Sequence, residues 1–390
     1  MKNPEQKKRA TRLLHAGRSP EAFGGAVNPP IKRASTILAK TADGLYNTPK
    51  SLYGRMGTEV HDALIAGLKE LEAADFVHLA PNGLGACSLA MASFVQSGDH
   101  FLLTDSAYGP TRRFATRYLK KMGVDVTIFD PRINAADFKA LIRDNTRAVF
   151  FEAPGSLTFE VHKMRDLLPV CKEHSVTSII DNTWGCGIVF QPLEFGFDVC
   201  VQALTKYVIG HSDGFGGAVM CRDEKLNRSI NEAATDWGLS MSPDDAYLAQ
   251  RGLRTIKHRV EAQGQSGLKI AEWLEQQPQV KQVLHPALPT HPDHEEYKAA
   301  FSGPSGLFSF VLHIEDKESI ERFFAGIELF GFGFSWGGFE SLMIPCNPQL
   351  LRTESPQWKS KGYGTLIRLQ IGLEDSDDLI ADLKAALDRL

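Results

Sequence analysis

The sequence has little with which to enter a membrane, grip a nucleic acid or build a disulfide framework. Its longest stretch without a formal charge, Phe76 to Gly98, is broken by Pro81, Asn82 and three glycines, and reads poorly as a membrane span. Lys and Arg number 43 against 47 Asp and Glu, a formal net charge of −4 with no block of one sign, so neither nucleic acid nor an anionic membrane surface is an expected partner. The six cysteines are scattered and form no C-x-x-C pair, which favours reduced thiols and a cytoplasmic setting. The basic N-terminal segment MKNPEQKKRATRLLHAGRS lacks the apolar core of a secretory signal. No internal repeat or low-complexity segment is visible. Small-molecule chemistry is what these absences leave.

What is present is an alternation of short apolar runs with helical patterns. At 390 residues, 43% of them hydrophobic, the chain has room for about two to three domains and a substantial core. In EVHDALIAGLKELEAAD (59–75), Val60, Leu64, Leu68 and Leu71 share one face at helical spacing. The runs HFLLTD (100–105), VTIFDP (126–131), AVFFEAP (148–154) and TSIIDNT (177–183) then recur with helix-like segments between them. That pattern predicts an α/β fold with a mostly parallel sheet, whose ligands lie at the carboxyl ends of the strands. A long helical stretch at 243–276 reads as a junction between domains. Beyond it come strand candidates GLFSFVLHI (306–314) and TLIRLQIGL (365–373), then a terminal helix with Leu379, Leu383, Leu387 and Leu390 on one face.

Candidate chemistry starts with Lys206 in VQALTKYVIG, where an apolar strand is expected to run. A desolvated lysine is a nucleophilic amine near neutral pH, whereas a lysine snorkelling from a strand end is only a surface charge. Asp181 ends the run IIDNTW, as a functional carboxylate or as a turn residue. Gly83 and Gly85 precede a helix of small residues, whose uncovered amides suit a phosphate, although a tight turn needs glycine as well. Tyr53 and Arg55 stand in a glycine-flanked loop where an arginine fork can reach phosphate oxygens or simply face water. An amine, a carboxylate and two phosphate devices on one α/β frame are the parts of a pyridoxal phosphate site. His291 and His294 lack a third ligand and read as a solvated loop. Cys171 and His174 read as parts of an amphipathic helix, and GHSDGFGG as the turn after the lysine, so no metal site is expected.

The ordered set YGR, NGLGA, SAYGP, IIDNTW, ALTKYVIGHSD, RGLRT, SWGGFESL and LIRLQIGLED resembles the Cys/Met-metabolism pyridoxal phosphate enzymes from about LLHAGR to the C-terminus. The resemblance implies the aspartate-aminotransferase-like fold (fold type I). It implies an N-terminal arm (1–56) reaching a neighbouring subunit, a large cofactor domain (57–252) and a smaller C-terminal α+β domain (253–390). It further implies that Lys206 carries the cofactor, Asp181 pairs with its pyridine nitrogen, and Tyr108 stacks on its ring with a catalytic part. Gly83, Leu84 and Thr205 would hold the phosphate, with Tyr53 and Arg55 supplied across a homo-oligomer, a dimer with shared sites or a dimer of dimers. Arg368 would bind the substrate carboxylate, and Ser335, Trp336 and Tyr53 the rest of an amino-acid thioether. Ala203 stands where many relatives have a serine, and EAPGSLT replaces an asparagine-containing loop, leaving the role of Ser156 open. Trp336 stands where γ-acting relatives commonly have leucine, which points to β-elimination from L-cystathionine. Cleavage of other cysteine S-conjugates, γ-chemistry and a non-catalytic regulatory role are the alternatives.

Overall fold

The computed structural model describes residues 6–48, 52–359 and 362–390. Its frame is a seven-stranded sheet in the order β1-β7-β6-β5-β4-β2-β3. The strands are β1 (Phe76–Ala80), β2 (His100–Thr104), β3 (Asp125–Phe129), β4 (Thr146–Glu152), β5 (Thr177–Asp181), β6 (Val199–Gln202) and β7 (Gly217–Cys221). β3, β2, β4, β5 and β6 run parallel, and β7 is antiparallel to both β6 and β1. The expected mostly parallel sheet is therefore present. The central strands read as continuous apolar runs because both their faces are covered. On one face lies the Glu59–Glu72 helix, with Val60, Leu64, Leu68 and Leu71 all fully buried.

A smaller antiparallel sheet, β10-β11-β9-β8, follows. It consists of β8 (Val280–Leu284), β9 (Leu307–Leu312), β10 (Leu342–Pro345) and β11 (Thr365–Gln370). The Ile256–Leu274 helix and the terminal Ser376–Leu387 helix pack on it, burying Leu379, Leu383 and Leu387. Leu390 lies beyond the helix end and is only half-buried.

Asp105, at the end of β2, ties the two sheets together. Its carboxylate accepts the backbone N–H groups of Thr353, Glu354 and Ser355 at 3.0, 2.8 and 3.0 Å, and the Arg112 guanidinium. Burial opposes its ionisation, but these donors win and hold its pKa below the ordinary value. Arg352 adds a bond to Asp105 O at 2.8 Å and another to Ser156 O, so Ser156 serves here as a backbone anchor for the C-terminal part.

Two expectations need correction. His291 is not solvated: it is 3% exposed, and its Nδ1 accepts the Asp293 N–H at 3.1 Å. Lys206 is not in a strand, because β6 ends at Gln202 and the chain turns through 204–209. The apolar run continues past the sheet because the turn itself is buried, with Leu204, Tyr207, Val208 and Ile209 all in the core.

Candidate active site

The carboxyl ends of β4, β5 and β6 bring Glu152, Asp181 and the Lys206 turn side by side, with Glu152 and Asp181 in register. Lys206 is half-buried, and its Nζ donates to Ser335 Oγ at 2.7 Å. The same Nζ lies 5.4 Å from the centre of the Trp336 ring. Burial, and secondarily the nearby Arg368 charge, bring its pKa down to about 8, while Asp181 pulls the other way. The amine is thus partly neutral near physiological pH, as a carbonyl-attacking nucleophile must be.

Asp181 is 8% exposed. Its Oδ1 accepts the Thr183 amide at 2.9 Å and the Thr183 hydroxyl at 2.5 Å, whereas Oδ2 has only the Cys87 thiol at 3.6 Å. Burial raises its pKa against those bonds and the Lys206 charge. A buried carboxylate oxygen facing a weak thiol donor is suited to a cationic N–H.

Beside it, the Gly83–Ala92 helix begins with Asn82, whose Oδ1 accepts the Gly85 N–H at 2.8 Å. The first helical bond comes from Ala86 N to Asn82 O, so the amides of Gly83 and Leu84 lie ahead of the helix's own ladder. A Cβ on Gly83 would sit 2.4 Å from Ala203 Cβ, and one on Gly217 would sit 2.3 Å from Asn82 O, so glycine lets this helix close onto the ends of β6 and β7. Thr205, next to Lys206, exchanges bonds with Gly216: its Oγ1 donates to Gly216 O at 3.2 Å and accepts Gly216 N–H at 3.1 Å. The result is a cradle of amides and one hydroxyl that fits a phosphate.

On the opposite wall, Arg368 of β11 is 8% exposed and donates from Nη2 to Ser335 O at 2.9 Å. Its Nε is buried without a hydrogen-bond partner, and among the described residues no carboxylate pairs with it. Burial pushes its pKa down. A guanidinium left in this state is suited to an incoming carboxylate. Ser335 thus joins the amine to the guanidinium. It does so with φ at +79°, left-handed backbone that a serine adopts only when its surroundings impose it. Trp336 packs edge-on against Tyr207 at 5.5 Å. Tyr108 caps the Gly109–Arg113 helix, its amide held by Glu152 Oε2 at 2.6 Å. Burial, and then the Glu152 charge, raise its phenol pKa.

Of the residues expected from sequence, Lys206, Asp181, Tyr108, Gly83, Leu84, Thr205, Arg368, Ser335 and Trp336 gather around this cleft. Tyr53 and Arg55 do not join them within the chain. Tyr53 is 48% exposed, Arg55 lies 5.8 Å from its ring centre, and among the described residues neither hydrogen-bonds to the Lys206 group. Sequence reading missed Glu152, Thr183 and Cys87. Glu152 closes an apolar run as Asp181 does, and that shared position was its available signal. Among the described residues no acidic, His or Cys cluster has the form of a metal site, and no helix is long and apolar enough to cross a membrane.

The buried carboxylate with an open oxygen, the amine of lowered pKa, the amide cradle and the unpaired arginine together fit pyridoxal phosphate and an amino-acid substrate. Comparison with known proteins agrees. The profile of the Cys/Met metabolism PLP-dependent enzymes matches residues 10–388. The chain is similar to the cystathionine beta-lyase of Escherichia coli, 41% identical over 98% of this chain and 99% of that one. It is also similar to the L-alanine/L-glutamate racemase of Wolbachia pipientis wMel, 37% identical over 97% of this chain and 96% of the other. Among solved structures, cystathionine gamma synthase from Xanthomonas oryzae pv. oryzae, in complex with aminoacrylate and cysteine, superposes with a TM-score of 0.90 at 31% identity, over 98% of each chain. The chain therefore belongs to the Cys/Met metabolism enzymes of fold type I, a carbon–sulfur lyase family whose members depend on pyridoxal phosphate.

Proposed function

We propose that this enzyme cleaves L-cystathionine by β-elimination, giving homocysteine, pyruvate and ammonia. The observation that carries the reading is Trp336, whose ring stands 5.4 Å from the Lys206 amine, where its bulk would restrict a base from taking a second proton at Cβ. The beta-lyase relative, more alike in sequence than the gamma synthase, supports the same reading.

In this mechanism Arg368 binds the substrate carboxylate through its unpaired edge and so orients the Cα–H bond toward Lys206. Lys206 is the residue that would carry the cofactor, and its amine is the base that would take the α-proton. Its lowered pKa makes the neutral amine available for this. When bound, pyridoxal phosphate supplies a sink for the electron pair left at Cα, and Asp181 keeps its ring nitrogen protonated. Lys206 or Tyr108 then delivers a proton to the departing thiolate. Gly83, Leu84 and Thr205 would hold the phosphate, and Ser335 keeps Lys206 and Arg368 in mutual register. Tyr53 and Arg55, exposed on the N-terminal arm (1–56), serve the site of a second copy of the chain, which makes the homo-oligomer, a dimer or dimer of dimers, the working unit. The cofactor domain spans 57–252 and the C-terminal domain 253–390. Six buried free cysteines suit a reducing cytoplasm.

The test is direct, because L-cystathionine offers both thioether bonds in one molecule. Pyruvate and homocysteine in clear excess, with ammonia in step, are expected. Dominant 2-oxobutyrate and cysteine would overturn the β assignment. Turnover of other cysteine thioethers without either keto acid from cystathionine would make it a general S-conjugate lyase, and a holoenzyme inert to every thioether would leave a regulatory role.

A further inference from the structure

Next to Asp181, around the residue that follows it, lies a buried polar knot that the proposed reaction does not use. At its centre is Glu72, the last residue of the Glu59–Glu72 helix, with no exposed surface. Its Oε1 accepts the Asn182 Nδ2 at 2.8 Å and also the Gln202 Nε2. Asn182 directly follows Asp181 at the end of β5, and Gln202 ends β6, just before the Lys206 turn. The two strand ends are also stitched through Ala203 N, which donates at 2.9 Å to the Thr183 hydroxyl that itself holds Asp181. One oxygen of Glu72 therefore fastens both strands immediately beneath the residues assigned to the cofactor.

The other half of the contact bears on its protonation state. Glu72 Oε2 and Asn182 Oδ1 are buried acceptors without a well-formed hydrogen bond, the weak Cys200 thiol being the one further donor near the carboxylate. These orphans belong to two groups already joined through Oε1. Asn182 spends its amide N–H groups on Glu72 Oε1 and Phe190 O, so its oxygen can be satisfied only by a donor, and a proton on Glu72 Oε2 would supply one. The charged neighbour is Arg9, from the Arg9–His15 helix, whose Nη2 donates to Leu71 O and Gly187 O; its charge favours an ionised Glu72, but among the described residues it forms no ion pair with that carboxylate. The other titratable groups facing Glu72 are Cys186, after β5, and Cys200, on β6, thiols whose pKa values burial raises. Burial likewise brings Glu72 to about 8, against the pull of Asn182, Gln202 and Arg9.

We propose that Glu72 is a positioning residue held as a neutral carboxylic acid, clamping β5 to β6 so that Asp181 and Lys206 keep the spacing the cofactor requires. The inference rests on the assignment of those two residues to the cofactor.

Glu72→Gln is the decisive variant, since its amide keeps the shape, keeps an acceptor for Asn182 and Gln202, and carries a fixed donor in place of the acid proton. A free glutamate ionises near ~4.3, whereas Glu72 in the fold does so at about 8. The folded chain therefore holds a proton that the unfolded chain releases, and wild-type stability falls as pH rises from ~4.3 to about 8. The glutamine variant has no such slope. In urea unfolding of the holoenzyme we expect Glu72→Gln to be the more stable protein at pH 8, with the gap closing toward pH ~5. Its cofactor Kd should stay within about threefold of wild type at neutral pH and stay flat above pH 8, where the wild-type value is expected to rise. The infrared difference between wild type and variant at neutral pH should contain a protonated-carboxyl carbonyl band. A wild type more stable than the variant at pH 8, with no acid band, would mean an ionised Glu72 paired with Arg9 and would overturn the proposal. An equal alkaline loss of cofactor in both proteins would do the same. Borohydride reduction of the wild type separates the two claims. Label on a lysine other than Lys206 would overturn the cofactor assignment and this proposal with it, whereas label on Lys206 beside an unfavourable Glu72→Gln result would overturn the clamp alone.

Discussion

Replacing Gly83 with alanine tests whether the amide cradle binds the cofactor phosphate, and its effect can be worked from distances. Gly83 is not among the residues with left-handed backbone, so alanine meets no conformational penalty, and helix propensity favours it by about 1 kcal/mol. The obstacle is steric. The new Cβ would lie 2.4 Å from Ala203 Cβ and 3.0 Å from Ala203 Cα. Carbon atoms rest at ~3.5–4.0 Å, so the helix start must retreat from β6 by roughly 1 Å or more. Hydrogen bonds to a phosphate weaken beyond about 3.2 Å, and each bond to a charged group contributes about 1.5–3 kcal/mol. Loss of one or both of the Gly83 and Leu84 amides gives about 1.5–6 kcal/mol, or a cofactor Kd raised roughly 10- to 20,000-fold. Absorbance titration of the apoprotein with pyridoxal phosphate measures it. Adding Ala203→Gly removes the opposing methyl and should recover at least about tenfold of the loss, a coupling expected only for groups in contact. A Gly83→Ala protein that binds within threefold of wild type, or a double variant no better than the single one, would refute the cradle.

Arg368→Lys keeps the charge but loses the fork, so kcat/KM should fall by about 2 kcal/mol or more in transition-state binding, with cofactor absorbance unchanged. An unaffected kcat/KM would make Arg368 structural. Acylation of Lys206 in the apoprotein should rise with pH through about 8, where the amine becomes neutral, and Arg368→Met should move that midpoint upward by removing a neighbouring positive charge. A midpoint at the ordinary lysine value would refute the desolvation argument. Mixing Arg55→Ala with Lys206→Ala, each inactive alone, should restore activity through hybrids carrying one intact site. No recovery with hybrids shown to form would place Arg55 outside a shared site.

Strand ends and the amphipathic helix were legible because they depend on local patterns. Asp181 could be picked out because it terminates an apolar run, and Val60, Leu64, Leu68 and Leu71 because they recur at helical spacing. Lys206 was found as a chemical group but placed in the wrong element. A buried turn and a buried strand carry the same apolar residues, and hydrogen bonding alone separates them. His291 went astray for a related reason: a Pro- and His-rich loop reads as solvated unless one knows that Asp293 and the neighbouring elements cover it.

What the linear sequence determined here was the kind of chemistry: an amine, a carboxylate, glycines before a helix and an arginine in a strand, spaced along an alternating α/β pattern. Each follows from residue type and short-range spacing, which a chain carries before it folds. Tertiary structure alone decided the relations between them. Only with β11 laid against the ends of the large sheet does Ser335 connect Lys206 to Arg368, separated in sequence by more than a hundred residues. Only with β4, β5 and β6 aligned do Glu152 and Glu72 stand around Asp181. Burial then changes what those groups are, because removing water raises carboxyl pKa values and lowers that of the lysine, a property no residue has by itself.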